Sequence, residues 1–395
     1  MAEPPSSASL SDIRAFAREW TALCECVSLR RDTERRLKLL SAVDWQHLLL
    51  LAEEHGVLGQ LAACLNHDGT AVIPPEIQQL LLERRRAENF LTLRLTAELL
   101  RLLELFDQHA ISALVIKGPV LAAQAYADPS VRAYGDLDLL VRQRDIRHAT
   151  ELIIASSYQA AVPLAAIDAG KIPGQYLFSH PDSRLLVELH NDLTLRYFPR
   201  TLRIEESFAR QIYVRVDGHE VPAPCVEDHL VLICIHGAKH FWERLSGIAD
   251  VAGLISRQTS IDWDRVASSA KAVQAEHLLH TGLRLAADVL HAELPEAVSS
   301  RVHEDVTAAK LAALALGWLP AAGYASPGLF GRATYRLRMR GRFFAAPAYL
   351  LRLTFSPTEE DWQAGSKLSN NRFLDTLRRP LRLARKYSRT KRGSP

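Results

Sequence analysis

The stretch from Ala133 to Val141 reads A-Y-G-D-L-D-L-L-V and places two acidic residues inside an apolar run. Acidic side chains are costly in apolar surroundings unless a cation or a hydrogen-bond donor compensates them. The alternation is typical of a β-strand, in which residues two apart share a face. We therefore predict a strand over Gly135–Val141, with Asp136 and Asp138 on one face and the intervening apolar side chains in a core.

The shared face of the two aspartates suggests a cation site. Two carboxylates about 6–7 Å apart along a strand repel each other unless a cation lies between them. Mg²⁺ takes oxygen ligands and is often held by one or two carboxylates together with substrate phosphates. The D-x-D pattern thus predicts a metal-binding face, and a solvated edge strand is the alternative interpretation.

The segments on either side carry groups suited to phosphate. Residues 111–118, I-S-A-L-V-I-K-G, predict a strand that ends at Lys117 and Gly118 and leads into a helix. Glycine at such a corner lets backbone N–H groups approach a phosphate, and lysine adds a positive charge. Arg132 is a candidate clamp for the β- and γ-phosphates, or else a surface arginine. Downstream, R-L-L-V-E-L-H predicts a further strand that offers Glu188 as a third carboxylate.

Together these segments carry a family resemblance. Residues 117–141, K-G-P-V-L-A-A-Q-A-Y-A-D-P-S-V-R-A-Y-G-D-L-D-L-L-V, resemble the active-site segment of the uncharacterised nucleotidyltransferase family, within the DNA polymerase β-like nucleotidyltransferase superfamily. The stretches V-E-L-H-N-D-L and H-G-A-K-H-F-W-E-R-L-S-G-I-A-D-V-A fit the same family. The resemblance covers roughly residues 80–260 and implies an α+β fold, a mixed-sheet core flanked by helical regions.

The resemblance also implies an activity and a set of site residues. The activity is transfer of a nucleoside monophosphate from an NTP such as ATP to an acceptor hydroxyl, with two Mg²⁺ or Mn²⁺ ions bound. Asp136 and Asp138 match the paired metal ligands, and Glu188 matches the third carboxylate that helps to activate the acceptor. Gly118 matches the glycine of the phosphate-binding corner.

One departure from the superfamily pattern keeps a second function open. The corner is usually Gly-Ser or Gly-Gly, whereas this chain has Lys117-Gly118-Pro119. Phosphate contact then falls to Lys117, to the backbone and to other basic groups. The alternative function is a catalytically silent module that binds a nucleotide or a partner, although three clustered acids argue for a working site.

A later segment adds candidate phosphate ligands. Val226–Ser256 predicts a continuous helix, on which His236 and His240 share a face. Gly237 stands where a zinc metalloprotease motif has its catalytic glutamate, which argues against a zinc hydrolase. The resemblance implies that Lys239 or His240 reaches phosphates, and the alternative is a surface lysine beside structural histidines. His190, two residues after Glu188, is a candidate for a supporting or acceptor-facing role.

The changes in pattern along the chain predict four regions. They are an N-terminal helical region (1–108), a nucleotidyltransferase core (109–225), a C-terminal helical domain (226–377) and a basic tail (378–395). Residues 211–222 predict a β-hairpin within the core, with Asp217-Gly218 as its turn. The tail could bind RNA, but a solvated or disordered terminus is the commoner explanation, so a nucleic-acid partner is not favoured.

Composition limits the class of protein. The 395 residues are 48% hydrophobic and 24% charged, with a net charge of +3, as in an ordinary globular protein. The five cysteines form no C-x-x-C pair, which argues against a disulfide scaffold or zinc ribbon and suggests a reducing cytoplasm. The start of the chain lacks the features of a signal peptide, and Pro320 interrupts the best apolar run, so no membrane span is expected.

Overall fold

The computed structural model describes residues 17–30, 32–68, 73–164, 167, 174–192, 204–320 and 328–339. The predicted basic tail, 378–395, lies outside these residues.

The chain begins with helices, as its apolar spacing predicts. They are α1 (Ala17–Val27), α2 (Thr33–Leu40), α3 (Trp45–Glu54), α4 (Leu58–Asp68) and α5 (Pro75–Gln108). The side chains of Asp32 and Asp44 accept hydrogen bonds from backbone N–H groups in the first turns of α2 and α3, so both act as N-caps. The second half of α5 packs on the sheet through residues three or four apart: Leu95, Leu99, Leu102 and Phe106.

A five-stranded mixed sheet follows. Its strands are β1 (Ala113–Val115), β2 (Leu137–Val141), β3 (Gln159–Ala160), β4 (Gln175–Ser179) and β5 (Leu186–His190), in the spatial order β1-β2-β5-β4-β3. Strands β2 and β5 are parallel, and every other neighbouring pair is antiparallel. Helix α6 (Gly118–Ala125), a short 3-10 turn (Pro129–Val131) and helix α7 (Ile146–Ala155) connect the first strands.

Strand β2 is an interior strand, so the solvated-edge interpretation of the D-x-D pattern is wrong. All five of its residues are buried, because both faces of the strand are covered. Leu137, Leu139 and Val141 enter one hydrophobic cluster, and Leu140 on the opposite face enters another. The strand begins at Leu137, so Asp136 immediately precedes it and Asp138 is the acidic residue within it.

The predicted hairpin is confirmed. Helix α8 (Ile204–Ala209) leads into β6 (Ile212–Val216), which pairs antiparallel with β7 (His219–Ala223). Asp217 and Gly218 both have positive φ, 47° and 87°. This is the conformation that a two-residue turn between twisted strands requires, and it explains the Asp-Gly pair.

The remaining described elements are helical. They are α9 (Val226–Lys239), α10 (Leu245–Arg257), α11 (Trp263–Ala272), α12 (Glu276–Leu290), α13 (Glu296–Glu304), α14 (Val306–Trp318) and α15 (Leu329–Arg338). The prediction of one continuous helix over Val226–Ser256 is therefore wrong: the chain turns between Lys239 and Leu245. Phe241 and Trp242 both have positive φ there, which ends the helix.

The side chain of Trp242 explains this turn. Its backbone N–H donates to the carbonyl of Gly237 at 2.8 Å, and its indole folds back over the same glycine. A Cβ at position 237 would lie 2.6 Å from Cε3 of the indole, so glycine is the residue that permits the contact. The buried indole thus takes the place that a further helical turn would otherwise occupy.

Two hydrophobic clusters enclose the sheet. One joins the N-terminal helices α1–α4 to the C-terminal helices α9–α15. The other lies between the sheet, the second half of α5, α7 and the β6–β7 hairpin. The helices before and after the core therefore share one hydrophobic interior.

None of the helices in the described part of the chain combines the length and the apolar composition that crossing a membrane requires.

Candidate functional site

Parallel pairing of β2 with β5 brings the acids together. Asp138 lies directly opposite Glu188 in the register of the two strands. His190 follows Glu188 by two residues, so its side chain lies on the same face of the sheet. One ligand atom each from Asp138, Glu188 and His190 lie within 4.8 Å of one another, and this cluster could hold a metal ion.

Asp138 is the centre of this cluster. Its side chain is 1% exposed, and its Oδ1 accepts from Lys117 Nζ at 2.8 Å and pairs with His190 Nε2 at 2.9 Å. Burial alone would raise the pKa of Asp138, but Lys117 and His190 outweigh burial and hold that pKa well below its usual range. Asp138 is therefore an anion at neutral pH, compensated from two sides.

Asp136 has different surroundings. It is half-buried, and within the described ranges its carboxylate makes no hydrogen bond or ion pair. Burial and the neighbouring charge of Asp138 raise its pKa to about 6. The charges of Asp138, Lys117 and Glu188 act on Asp136, so it lies near the site, although outside the compact three-residue cluster.

Glu188 is held by a residue that the sequence did not single out. Gln175 on β4 donates from its Nε2 to Oε2 of Glu188, and Gln175 Oε1 accepts from Lys239 Nζ at 2.7 Å. Burial raises the pKa of Glu188, but His190 and Lys117 together outweigh burial, and the net pKa is lowered. Gln175 lies opposite His190 in the β4–β5 register, a pairing that local sequence does not reveal.

The predicted phosphate ligands differ in how directly they contact the acidic cluster. Lys117 and Gly118 lie at the end of β1 beside Asp138, and Gly118 has a positive φ of 56°, which favours glycine at this corner. Lys239 reaches the cluster through Gln175. His240, an exposed residue, packs on the ring of His236 at a centroid distance of 4.5 Å.

Arg132 lies apart from this group. Its guanidinium forms two hydrogen bonds to Asp250 on α10, Nε to Oδ1 at 2.8 Å and Nη2 to Oδ2 at 2.9 Å. Tyr126 also donates to Asp250 Oδ1, and the third guanidinium nitrogen faces the carbonyl of Gly118 at 3.4 Å. The guanidinium is thus held in a buried ion pair next to the corner, and a phosphate-binding role for Arg132 stays a prediction.

The donor set fits a hard divalent ion. Of its carboxylate oxygens, Asp138 Oδ2, Glu188 Oε1 and both oxygens of Asp136 accept no hydrogen bond from any residue that the structure describes. These free oxygens, beside the imidazole of His190, are ligands that Mg²⁺ or Mn²⁺ accepts.

Comparison with known proteins identifies the family of this chain. No curated protein matches the chain in sequence. A crystal structure of an antigenic nucleotidyltransferase-like protein from Paracoccidioides brasiliensis is similar to part of the chain, with 16% identity and a TM-score of 0.27, over 52% of this chain and 96% of that one. The model of the uncharacterised nucleotidyltransferase family matches residues 41–291, which include the sheet and every site residue described above. The chain belongs to the uncharacterised nucleotidyltransferase family.

Proposed function

We propose that the chain is a metal-dependent nucleotidyltransferase that moves a nucleoside monophosphate from an NTP to an acceptor hydroxyl. The observation that supports this most is the convergence of Asp138 and Glu188 from two parallel strands, with Asp136 unpaired beside them. In the proposal, Asp136, Asp138 and Glu188 are the metal ligands, and Mg²⁺ or Mn²⁺ is the cofactor. When bound, the metal would orient the α-phosphate and neutralise its developing charge.

The chain's own residues have distinct roles in this proposal. Lys117 and Lys239 place positive charge on either side of the acids, where the triphosphate would lie. Glu188 orients the acceptor hydroxyl and takes its proton. The acceptor oxygen bonds to the α-phosphorus as the bond from that phosphorus to the β-phosphate oxygen breaks, and pyrophosphate leaves. The acceptor is a small molecule, a protein or, less favoured, an RNA.

The test is transfer of label from each of the four α-labelled NTPs, measured with Mg²⁺ and with Mn²⁺. Label on the protein or on a co-purified molecule, with release of pyrophosphate, is the expected result. Asp138→Asn should abolish it, whereas the matched variant Asp182→Asn, an exposed acid in the β4–β5 turn, should not. Metal-dependent NTP binding without pyrophosphate release would instead identify a silent binding module.

A further inference from the structure

We propose that His190 is a direct ligand of the metal ion, and that the site consequently prefers Mn²⁺ to Mg²⁺. The inference rests on the proposed function, since it concerns the same ion. It adds an imidazole nitrogen to a ligand set that the sequence limited to carboxylates.

The distances around His190 match a shared coordination sphere. Its Nε2 lies 2.9 Å from Asp138 Oδ1 and 3.6 Å from Glu188 Oε2. Two ligand atoms at right angles, each about 2.1 Å from an ion, are separated by about 3 Å. One ligand atom from each of the three side chains thus lies close enough to the others for a single ion to contact all three.

The sheet keeps His190 in this position. Glu188 and His190 alternate on β5, and Asp138 lies opposite Glu188 on β2, both interior strands with hydrogen bonds on each side. The His190 side chain is buried, so it has little freedom to turn away. The arrangement is thus built into the sheet rather than carried by a loop.

A role limited to orienting Asp138 fits the geometry less well. Nε2 of His190 faces the carboxylates of Asp138 and Glu188 at once. The nitrogen that faces both acids is the one expected to bind the ion.

The ligand set determines the metal preference. Carboxylates suit Mg²⁺ and Mn²⁺ alike, whereas imidazole suits first-row transition ions better than Mg²⁺. Mn²⁺ accepts both donor types at an oxygen-rich site. The site should therefore bind Mn²⁺ more tightly than Mg²⁺, and this margin should depend on His190.

The direct test is pulsed EPR of the intact chain with Mn²⁺ alone, prepared once with natural and once with ¹⁵N-labelled histidine. A nitrogen coupling of directly bound imidazole that changes with the label would support the proposal. Mn²⁺ bound at the site, and lost in Asp138→Asn, but without any histidine coupling would overturn it and leave the proposed function standing. This measurement needs no His190 variant, so it does not depend on how well such a variant folds.

A variant pair assigns the histidine. His190→Gln should remove the nitrogen coupling and weaken Mn²⁺ binding by about tenfold or more, with a smaller change for Mg²⁺. His236→Gln, a neighbouring histidine outside the three-residue cluster, should leave both unchanged. Retention of the coupling in His190→Gln would contradict the proposal. Absence of Mn²⁺ binding would overturn it as well, and the label-transfer assay then decides separately whether the proposed function also fails.

Discussion

Asp136 and Asp138 are two residues apart, yet their surroundings are opposite. Asp138 is buried and hydrogen-bonded to Lys117 and His190, whereas Asp136 is half-buried beside another acid. A carboxylate whose pKa is lowered in the folded state stabilises the fold at neutral pH, and one whose pKa is raised destabilises it. The two aspartates look equivalent in the sequence, but ionised Asp138 stabilises the fold and ionised Asp136 destabilises it.

This contrast predicts opposite effects of two similar variants. At pH 7.5 without added metal, Asp136→Asn should raise the free energy of unfolding by about 1–3 kcal/mol, because it removes a repelled, partly desolvated charge. Asp138→Asn should lower it by about 2–3 kcal/mol, because the ammonium of Lys117 loses its buried counter-charge. Urea denaturation of both variants would check the signs.

Nucleotide transfer distinguishes the two variants from substitutions that change stability alone. Under the proposed function, both should abolish nucleotide transfer, although one is more stable than the wild type. Asp182→Asn serves as the control, with unchanged stability and transfer. A destabilised Asp136→Asn protein would contradict the charge balance described for the site.

At the scale of elements, the break between α9 and α10 shows how one glycine determines where a helix ends. Gly237 lies beneath the indole of Trp242, and a Cβ added at Gly247 on α10 would lie 3.8 Å from the same ring, an ordinary contact distance. Helical periodicity extends through the whole segment, so sequence pattern alone predicts a continuous helix. The fold-back of a buried aromatic ring overrides that local preference.

The two glycines give a matched pair of variants. Gly237→Ala should destabilise the protein by about 2 kcal/mol, because its Cβ would overlap the indole ring. Gly247→Ala should be neutral or stabilising by up to about 1 kcal/mol, because alanine favours a helix and the space is free. Thermal unfolding of the two proteins checks the difference, and equal effects would mean that the indole gives way without cost.

The start of α14 carries a second element-scale feature. Asp305 caps the helix through hydrogen bonds from the backbone N–H groups of Thr307 and Ala308 at 3.0 and 2.9 Å. It also pairs with Nδ1 of both His277 and His280 on α12, each at 2.8 Å. Burial raises the pKa of Asp305, but these hydrogen bonds outweigh it and lower the pKa; the pKa of His277 is raised by its bond to Asp305.

The signs of these shifts define a pH window. The raised pKa of His277 stabilises the fold below about pH 6.5, and the lowered pKa of Asp305 stabilises it above about pH 4. Asp305→Asn keeps a good N-cap but loses the charge, so it should destabilise by about 1 kcal/mol near pH 5.5 and by less at pH 8.5. Urea denaturation at both pH values tests this.

A second variant serves as the control for the effect of pH on stability. Asp288 is a half-exposed acid on the same helix as His277, and it pairs with Arg284. The effect of Asp288→Asn on stability should therefore not change between the two pH values. If Asp305→Asn loses the same stability at pH 5.5 and at pH 8.5, the charges of the imidazoles contribute nothing to the stability of the fold.

At the scale of the whole molecule, the Arg132–Asp250 pair connects the loop before β2 to helix α10. Both side chains are buried, at 13% and 9% exposure, and they join residues 118 positions apart. The guanidinium also lies next to the Gly118 corner, so the pair positions that corner relative to α10. The helical regions thus contribute to the geometry of the site although they supply few of its acids.

A double-mutant cycle measures this connection. Arg132→Met or Asp250→Leu alone should cost about 3–5 kcal/mol, because each leaves a buried charge without its partner. The double variant should be more stable than the sum of the two losses predicts, by about 2 kcal/mol or more. The exposed pair Arg147–Glu151, at 70% and 50% exposure, should show a coupling below about 0.5 kcal/mol.

The cycle also bears on the predicted phosphate role of Arg132. Unchanged NTP affinity in a folded double variant would mean that Arg132 acts through position alone. Additive losses would contradict the structural link between the core and α10.

Local sequence patterns were enough to predict the features that depend on residues close together in the chain. Alternation of apolar residues in 133–141 and 184–190 predicted the two central strands, Asp217-Gly218 predicted the hairpin turn, and the quoted motifs predicted the family that the comparisons show. Each of these signals spans few residues, because strand alternation and turn conformation are local properties of the backbone.

The contacts between residues far apart in the chain are seen in the tertiary structure and not in the sequence. It brought Gln175 to Glu188 across 13 positions and Lys239 to Gln175 across 64, paired Arg132 with Asp250, and placed the N-terminal and C-terminal helices in one hydrophobic interior. These contacts follow from strand register and from the burial of apolar surface, which act between segments far apart in the chain. No periodicity in a single segment records them, and for that reason the sequence predicted the acids but not the residues that hold them.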